Sequence, residues 1–260
     1  MALTGKDPAD APAGAAAGTT AATFAAASAG MITGALNNAG IPPELAVRLE
    51  AVAAESPAFV LDLLGCLEGD PFLRRLVDKS HSLPEGYEPE DLVELSPGSY
   101  ELGRRGLMLR RPAAEALERM AAAARADGVV LVVSSTYRSY VYQVEVYDRN
   151  VREMGREAAD RESARPGYSQ HQTGLAVDFG SIDDSFARTG AGRWILEHAG
   201  RFGWSLSFPD GYEDATGYRW ESWHYRYVGE DLAAFIDTWF DGIQQYALQF
   251  IYAWEELYRP

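Results

Sequence analysis

The run Leu175-Ala-Val-Asp-Phe179 constrains this chain more than any other segment. Its apolar residues read as a short buried strand, yet Asp178 carries a carboxylate into it. An inward carboxylate without a partner is costly to remove from water, so the fold must bring it a cation, a set of donors or a metal ion. The chain has only four histidines, His81, His171, His198 and His224. Two of them lie in polar, acidic surroundings. His171 sits in Ser169-Gln-His-Gln-Thr-Gly174, seven positions before Asp178, and His224 ends Trp220-Glu-Ser-Trp-His224. His81 falls in a connector and His198 in the helix-like Trp194-Ile-Leu-Glu-His-Ala, and neither has comparable company.

A catalytic zinc takes three protein ligands of the imidazole and carboxylate kind and leaves one position to water. His171, Asp178 and His224 supply that set, with Gly174 and Ala176 small where metal and backbone approach closely. A carboxylate close to such a metal takes the proton of its water during attack on a carbonyl. Glu221, three residues before His224, is the candidate. In a regular strand this offset puts the two side chains on opposite faces, so the segment must bend, bulge or turn helical for both to face one ion. One His beside one Asp, taken alone, reads first as a hydrogen-bonded structural pair; the joint pattern of both histidines, Asp178 and Glu221 turns the reading toward a metal site.

Charge and composition exclude other classes. The 260 residues hold 38 acids and 23 bases, a net charge of −15. The balance is −9 over residues 1–100, +2 over 101–170 and −8 over 171–260. No basic stripe exists to displace counterions, so a nucleic-acid partner is not expected. The single cysteine, Cys66, rules out an intramolecular disulfide and a cysteine-rich zinc knuckle. The most apolar late stretch, Phe235 to Trp254, is broken by Asp237, Asp241, Gln244, Gln245 and Gln249, so no transmembrane segment is expected. Nor does the N-terminus read as a convincing signal peptide.

The chain divides into an Ala-rich, low-complexity leader over 1–40, expected to be mobile, a helical appendage over 41–80 and a main domain over 81–260. In the main domain, helices are predicted over Arg111–Asp127, up to Met154, over Thr189–Phe202 and over 230–256. Strands are predicted at Val129–Val133, Gly174–Phe179, Trp204–Phe208 and Tyr218–Tyr227. Helices and strands mix without regular βαβ repeats. This predicts an α+β fold.

The motifs resemble one known family. Ser-x-His-x-x-Gly-x-Ala-x-Asp over 169–178, followed by Glu221-x-Trp-His224, is similar to the zinc D,D-carboxypeptidases of the VanY type, the LAS-type metallopeptidases. Ser135-Thr-Tyr-Arg138-Ser139 after a strand resembles the family's Ser-Gly-Tyr-Arg-Ser, with Gln143 at its downstream glutamine. Arg165-Pro-Gly-Tyr-Ser169 and His224-Tyr-Arg-Tyr-Val-Gly229 extend the likeness, which covers roughly 72–250. Gln170 where an acid is frequent, Thr136 for the usual glycine and Ser222 for a common proline depart from the pattern.

The resemblance implies a small, mostly antiparallel sheet carrying a zinc site and flanked by helices. It implies zinc on His171, Asp178 and His224, Glu221 as catalytic base, and Arg138 binding substrate with help from Gln143 and Ser169. A guanidinium fork suits a free terminal carboxylate. The implied activity is removal of the terminal D-alanine from peptidoglycan stem peptides. Alternatives are L,D-carboxypeptidase action on tetrapeptide stems, a non-catalytic zinc-containing wall-binding module, and an endolysin-like endopeptidase. The implied location is extracytoplasmic, from the substrate, and a monomer is expected.

Overall fold

The computed structural model describes residues 29–84 and 86–258. Three helices come first: α1 (29–38), α2 (Pro43–Glu55) and α3 (Ala58–Glu68). The chain continues through β1 (Leu92–Glu94), β2 (Glu101–Leu102), β3 (Met108–Arg110), α4 (Arg111–Ala126), β4 (Val132–Ser135), α5 (Tyr140–Met154) and α6 (Arg156–Glu162). Then follow β5 (Ala176–Phe179), α7 (Gly190–His198), β6 (Trp204–Leu206), α8 (Glu213–Thr216), β7 (His224–Tyr227), α9 (Glu230–Trp239) and α10 (Gln244–Tyr258).

Five strands form one sheet in the order β2-β4-β5-β7-β6. The β2–β4 pair is parallel and the other three pairs are antiparallel. A separate β1–β3 ladder is antiparallel. The expected α+β architecture with a small, mostly antiparallel sheet is what the chain forms. The central strand β5 carries Asp178, and its register sets Asp178 opposite His224 on β7 and opposite Ser135 on β4.

Local chemistry explains the flanking elements. In α4 the residues Ala113, Ala116, Leu117, Met120, Ala121 and Ala124 recur at helical spacing and are all buried. They pack against the sheet with Val133, Val177, Phe179, Ile195 and Trp204. Helix α5 starts where the Ser139 side chain accepts from the Tyr142 N–H, and it stops at Gly155, whose φ of +84° ends the helical run.

A second core lies apart from the sheet. It joins Leu49 of α2 and Phe59 and Leu63 of α3 to Phe235 and Ile236 of α9 and Phe250 of α10. The Phe59 ring is 5.4 Å from Phe235 and 5.7 Å from Phe250. The N-terminal and C-terminal helices therefore share one interior. Helix α1 belongs to it as well, with Ile32, Ala35 and Leu36 buried at helical spacing. Helix α1 thus lies inside the stretch expected to be a leader, whose first 28 residues lie outside the described ones.

Two strands differ from expectation. The predicted Val129–Val133 strand shifts to Val132–Ser135, because Val129 N–H still bonds back to Ala124 O at the end of α4. The predicted Tyr218–Tyr227 strand keeps only its last four residues, because a tight turn precedes His224. Within β7, Arg226 is fully buried, and its Nη2 donates to the carbonyls of Phe72, Leu73 and Arg75. That guanidinium ties the segment leading to Val77 against the sheet.

Between His171 and Asp178 the chain makes a 3₁₀ turn, Gln170–Thr173, closed by Gly174 at φ +70°. A Cβ at 174 would also meet Arg110 Cγ and Leu92 Cδ2 at 3.0 Å. Left-handed backbone costs a non-glycine residue about 1–2 kcal/mol. Gly174→Ala is therefore expected to lower the Tm by about 2–8 °C for a chain of this size, read by calorimetry. An unchanged Tm would contradict this account of the turn.

Candidate metal centre and active site

The site grows from the β5–β7 ladder. Asp178 Oδ1 lies 3.0 Å from His224 Nδ1, and Oδ2 lies 3.2 Å from His171 Nε2. One donor atom from each of the three residues falls within 4.8 Å of the others, and all three residues are buried. The two imidazoles stand nearly perpendicular, with ring centroids 4.9 Å apart.

Outer partners decide which nitrogen each ring offers. His171 Nδ1 meets the carbonyl oxygen of Thr136 at 2.8 Å. A carbonyl only accepts, so Nδ1 carries the proton and the Nε2 lone pair faces Asp178. His224 Nε2 meets Gln170 Oε1 at 3.1 Å, which directs its Nδ1 to the same point. Such outer-shell acceptors are what metal-binding histidines use to fix tautomer and ring orientation. Burial, helped by the Arg138 charge, pushes His171 down to about 4, so it is a neutral ligand at pH 7. Burial opposes the charge on Asp178, yet its carboxyl is held well below the usual carboxylate range; the Arg138 guanidinium, 2.8 Å away, is the cation that faces it. Two imidazole nitrogens and one carboxylate, converging in a buried pocket, fit a zinc ion with an open position.

Glu221 reaches the site by a turn. His224 N–H donates to Glu221 O at 3.2 Å, which folds residues 221–224 so that Glu221 Oε2 lies 3.7 Å from His224 Nδ1. This resolves the face problem posed by the three-residue offset. Glu221 is 9% exposed, and burial, reinforced by the Asp178 charge, raises its pKa well above the ordinary value. Arg138 enters from the loop after β4. Its Nη2 donates to Asp178 Oδ2 at 2.8 Å, while Nε and Nη2 both donate to Ser135 Oγ at 3.2 and 3.1 Å.

These side chains line one pocket with Ser169, Tyr168 and Phe208. Ser169 is buried, and its Oγ accepts from the His171 N–H, so it orients the turn that holds the ligand. Gln143 lies behind the pocket wall instead. Fully buried on α5, it donates from Nε2 to Ala164 O at 2.8 Å, and its Oε1 has no hydrogen-bond partner. His81 pairs with Asp78 at 2.8 Å, and His198 stacks on Trp194, both away from this cluster. The parts that sequence reasoning missed are the Thr136 carbonyl and the service of Gln170 to His224. The first is a backbone atom that no residue type announces. The second had a signal, since Gln170 departs from the family pattern beside a ligand.

The model of the family described as VanY, D-alanyl-D-alanine carboxypeptidase, matches residues 106–230, which include every one of these pocket-facing ligands, acids and the arginine. YodJ of Bacillus subtilis (strain 168) is 37% identical over 183 residues, covering 68% of this chain and 67% of that protein. The chain belongs to the VanY D-alanyl-D-alanine carboxypeptidase family. Among solved structures, the LD-carboxypeptidase LdcB is similar at a TM-score of 0.58 and 34% identity, over 65% of this chain and 85% of that one. A variant of the vancomycin-resistance D,D-pentapeptidase VanY from a VanB-type cassette, in complex with Zn(II), is similar at 0.55 and 35%, over 64% and 93%.

Metal-free protein labelled with 15N at histidine tests the tautomer assignment. His171 is expected to stay neutral, with the proton on Nδ1, down to about pH 5, and to protonate only near the value of about 4. An imidazolium signal from His171 at pH 6.5 would contradict the assignment.

Proposed function

We propose that this VanY-family chain is a zinc-dependent D-alanyl-D-alanine carboxypeptidase that trims the terminal D-alanine from peptidoglycan stem peptides. His171, Asp178 and His224 hold the metal. Bound zinc supplies a Lewis acid and a water whose pKa falls toward about 7. Glu221 takes the proton of the attacking water and returns it to the departing amine, so that the C–N bond breaks and free D-alanine leaves. Its buried, pKa-raising surroundings suit an acceptor that must hold the proton between the two transfers.

The observation that carries the reading is the place of Arg138. Its guanidinium lies 2.8 Å from a carboxylate oxygen of the metal-binding set, and Ser135 Oγ steadies it. In a carboxypeptidase substrate the terminal carboxylate stands one residue, about 3.8 Å of chain, beyond the scissile carbonyl. A carboxylate-binding fork beside the metal donors matches that spacing, whereas an endopeptidase needs no such fork there. Ser169 lines the same pocket and takes part in holding the substrate. Gln143 acts from behind, through the 163–164 wall that its amide braces. The substrate places the enzyme outside the cytoplasmic membrane; no helix among the described residues is long and apolar enough to cross one. The chain is taken to act as a monomer.

Defined muropeptides incubated with zinc-loaded protein and resolved by mass spectrometry test the reaction. Pentapeptide stems are expected to lose one D-alanine, and a chelator is expected to stop the loss. Release from tetrapeptide stems alone would instead indicate L,D-specificity, and release from neither would leave a wall-binding module. Glu221→Gln is expected to keep zinc yet lose about 10²–10⁴-fold in turnover, the range general acid–base groups supply. Full activity in that variant would remove Glu221 from the mechanism. Arg138→Ala, assayed at saturating zinc, is expected to lower kcat/KM about 100-fold or more through the lost charge-assisted bonds.

A further inference from the structure

Behind His224 runs a chain of buried amides that leaves the sheet and ends on α10. Gln170 Oε1, which meets His224 Nε2, also accepts from Ser207 Oγ at 2.7 Å. Gln170 Nε2 donates onward to Gln244 Oε1 at 3.4 Å. Gln244 Nε2 in turn donates to the carbonyl oxygen of Ser205 at 3.2 Å. Gln170, Ser207 and Gln244 are 7%, 3% and 1% exposed. Gln244 is the first residue of α10, past residue 230 where the family match ends.

The chain has a direction. The Ser205 carbonyl can only accept, so it draws the Gln244 amide N–H₂ toward itself and turns Oε1 toward Gln170. That oxygen can only accept, so it draws the N–H₂ of Gln170, which turns the Gln170 oxygen toward His224. There the oxygen requires a proton on Nε2, and the Nδ1 lone pair is left for the metal side. Rotated by 180°, the Gln170 amide would instead present N–H₂ to His224 Nε2–H and lose its acceptor role.

We propose that Gln244 is a positioning residue of the metal centre, fixing the orientation of the Gln170 amide and through it the metal-binding tautomer of His224. The inference rests on the zinc reading above. It makes the C-terminal helix, which the family match does not include, part of the support of the site.

The full-length chain is tested by competition for zinc against a chromophoric chelator. Gln244→Met, nearly isosteric and without an amide, is expected to raise the zinc dissociation constant about 10-fold or more, as loss of outer-shell partners does. Gln244→Ala serves if the methionine variant does not fold. Gln244→Glu, which keeps an acceptor for Gln170, is expected to stay within about 3-fold of wild type on the same footing. In a Gln170→Met background the Gln244→Met change is expected to have no further effect, because the link it acts through is gone. Wild-type zinc affinity in Gln244→Met, or an equal loss in the Gln170→Met background, would overturn the proposal and leave the metal reading standing. Failure of the wild-type chain to bind zinc would overturn both.

Discussion

Everything in the site follows from one buried carboxylate. Asp178 is 2% exposed on the central strand of the sheet, and an isolated ion there would oppose folding. The structure answers with three partners on three elements: His171 from the 3₁₀ turn, His224 from β7 and Arg138 from the loop after β4. Each partner also has a task in the chemistry. The two imidazoles complete a group that could hold a metal ion, and the guanidinium faces the pocket where the proposed substrate carboxylate would bind. On the proposed reading, stabilising the fold and building the site are the same act, because the carboxylate that must be compensated is itself a ligand.

Two interiors divide the remaining work. The sheet, backed by α4 and α7, fixes the distances among the ligands through the β4–β5 and β5–β7 registers. The helical core made by α1 to α3 with α9 and α10 holds the opposite side. It reaches the pocket through polar threads. Arg226 pins the carbonyls of residues 72, 73 and 75, and Gln245 on α10 donates to Asp78 Oδ2 at 2.8 Å, next to the pocket-lining Val77. The helical part therefore braces the wall of the pocket that the sheet leaves open.

Much of this was legible in the chain itself. That His171, Asp178, His224 and Glu221 come together was readable because metal chemistry demands particular residue types at particular spacings, and Arg138 was readable from the family resemblance. The fold class was readable from elements alternating without a βαβ rhythm. What escaped detection depends on contacts distant in sequence. No local pattern pairs Phe59 with Phe250, so the core shared by the N-terminal and C-terminal helices was not foreseen, nor was a buried helix over 29–38. The strand expected over Tyr218–Tyr227 shortened because a hydrogen-bonded turn over 221–224 brings Glu221 to the side of His224 Nδ1, where a pleated strand would not. Gln244 looked like a polar break in an apolar helix, and only its buried contacts reveal a purpose.

The central claim is that His171, Asp178 and His224 form one metal-binding set with Glu221 beside it as a base. Crystals of the zinc-loaded chain, measured at the zinc absorption edge, test it directly. The account predicts a single strong anomalous peak about 2.0–2.2 Å from His171 Nε2, an Asp178 carboxylate oxygen and His224 Nδ1, with Glu221 outside bonding distance. A peak elsewhere, or one at which Glu221 replaces any of the three as ligand, would contradict it.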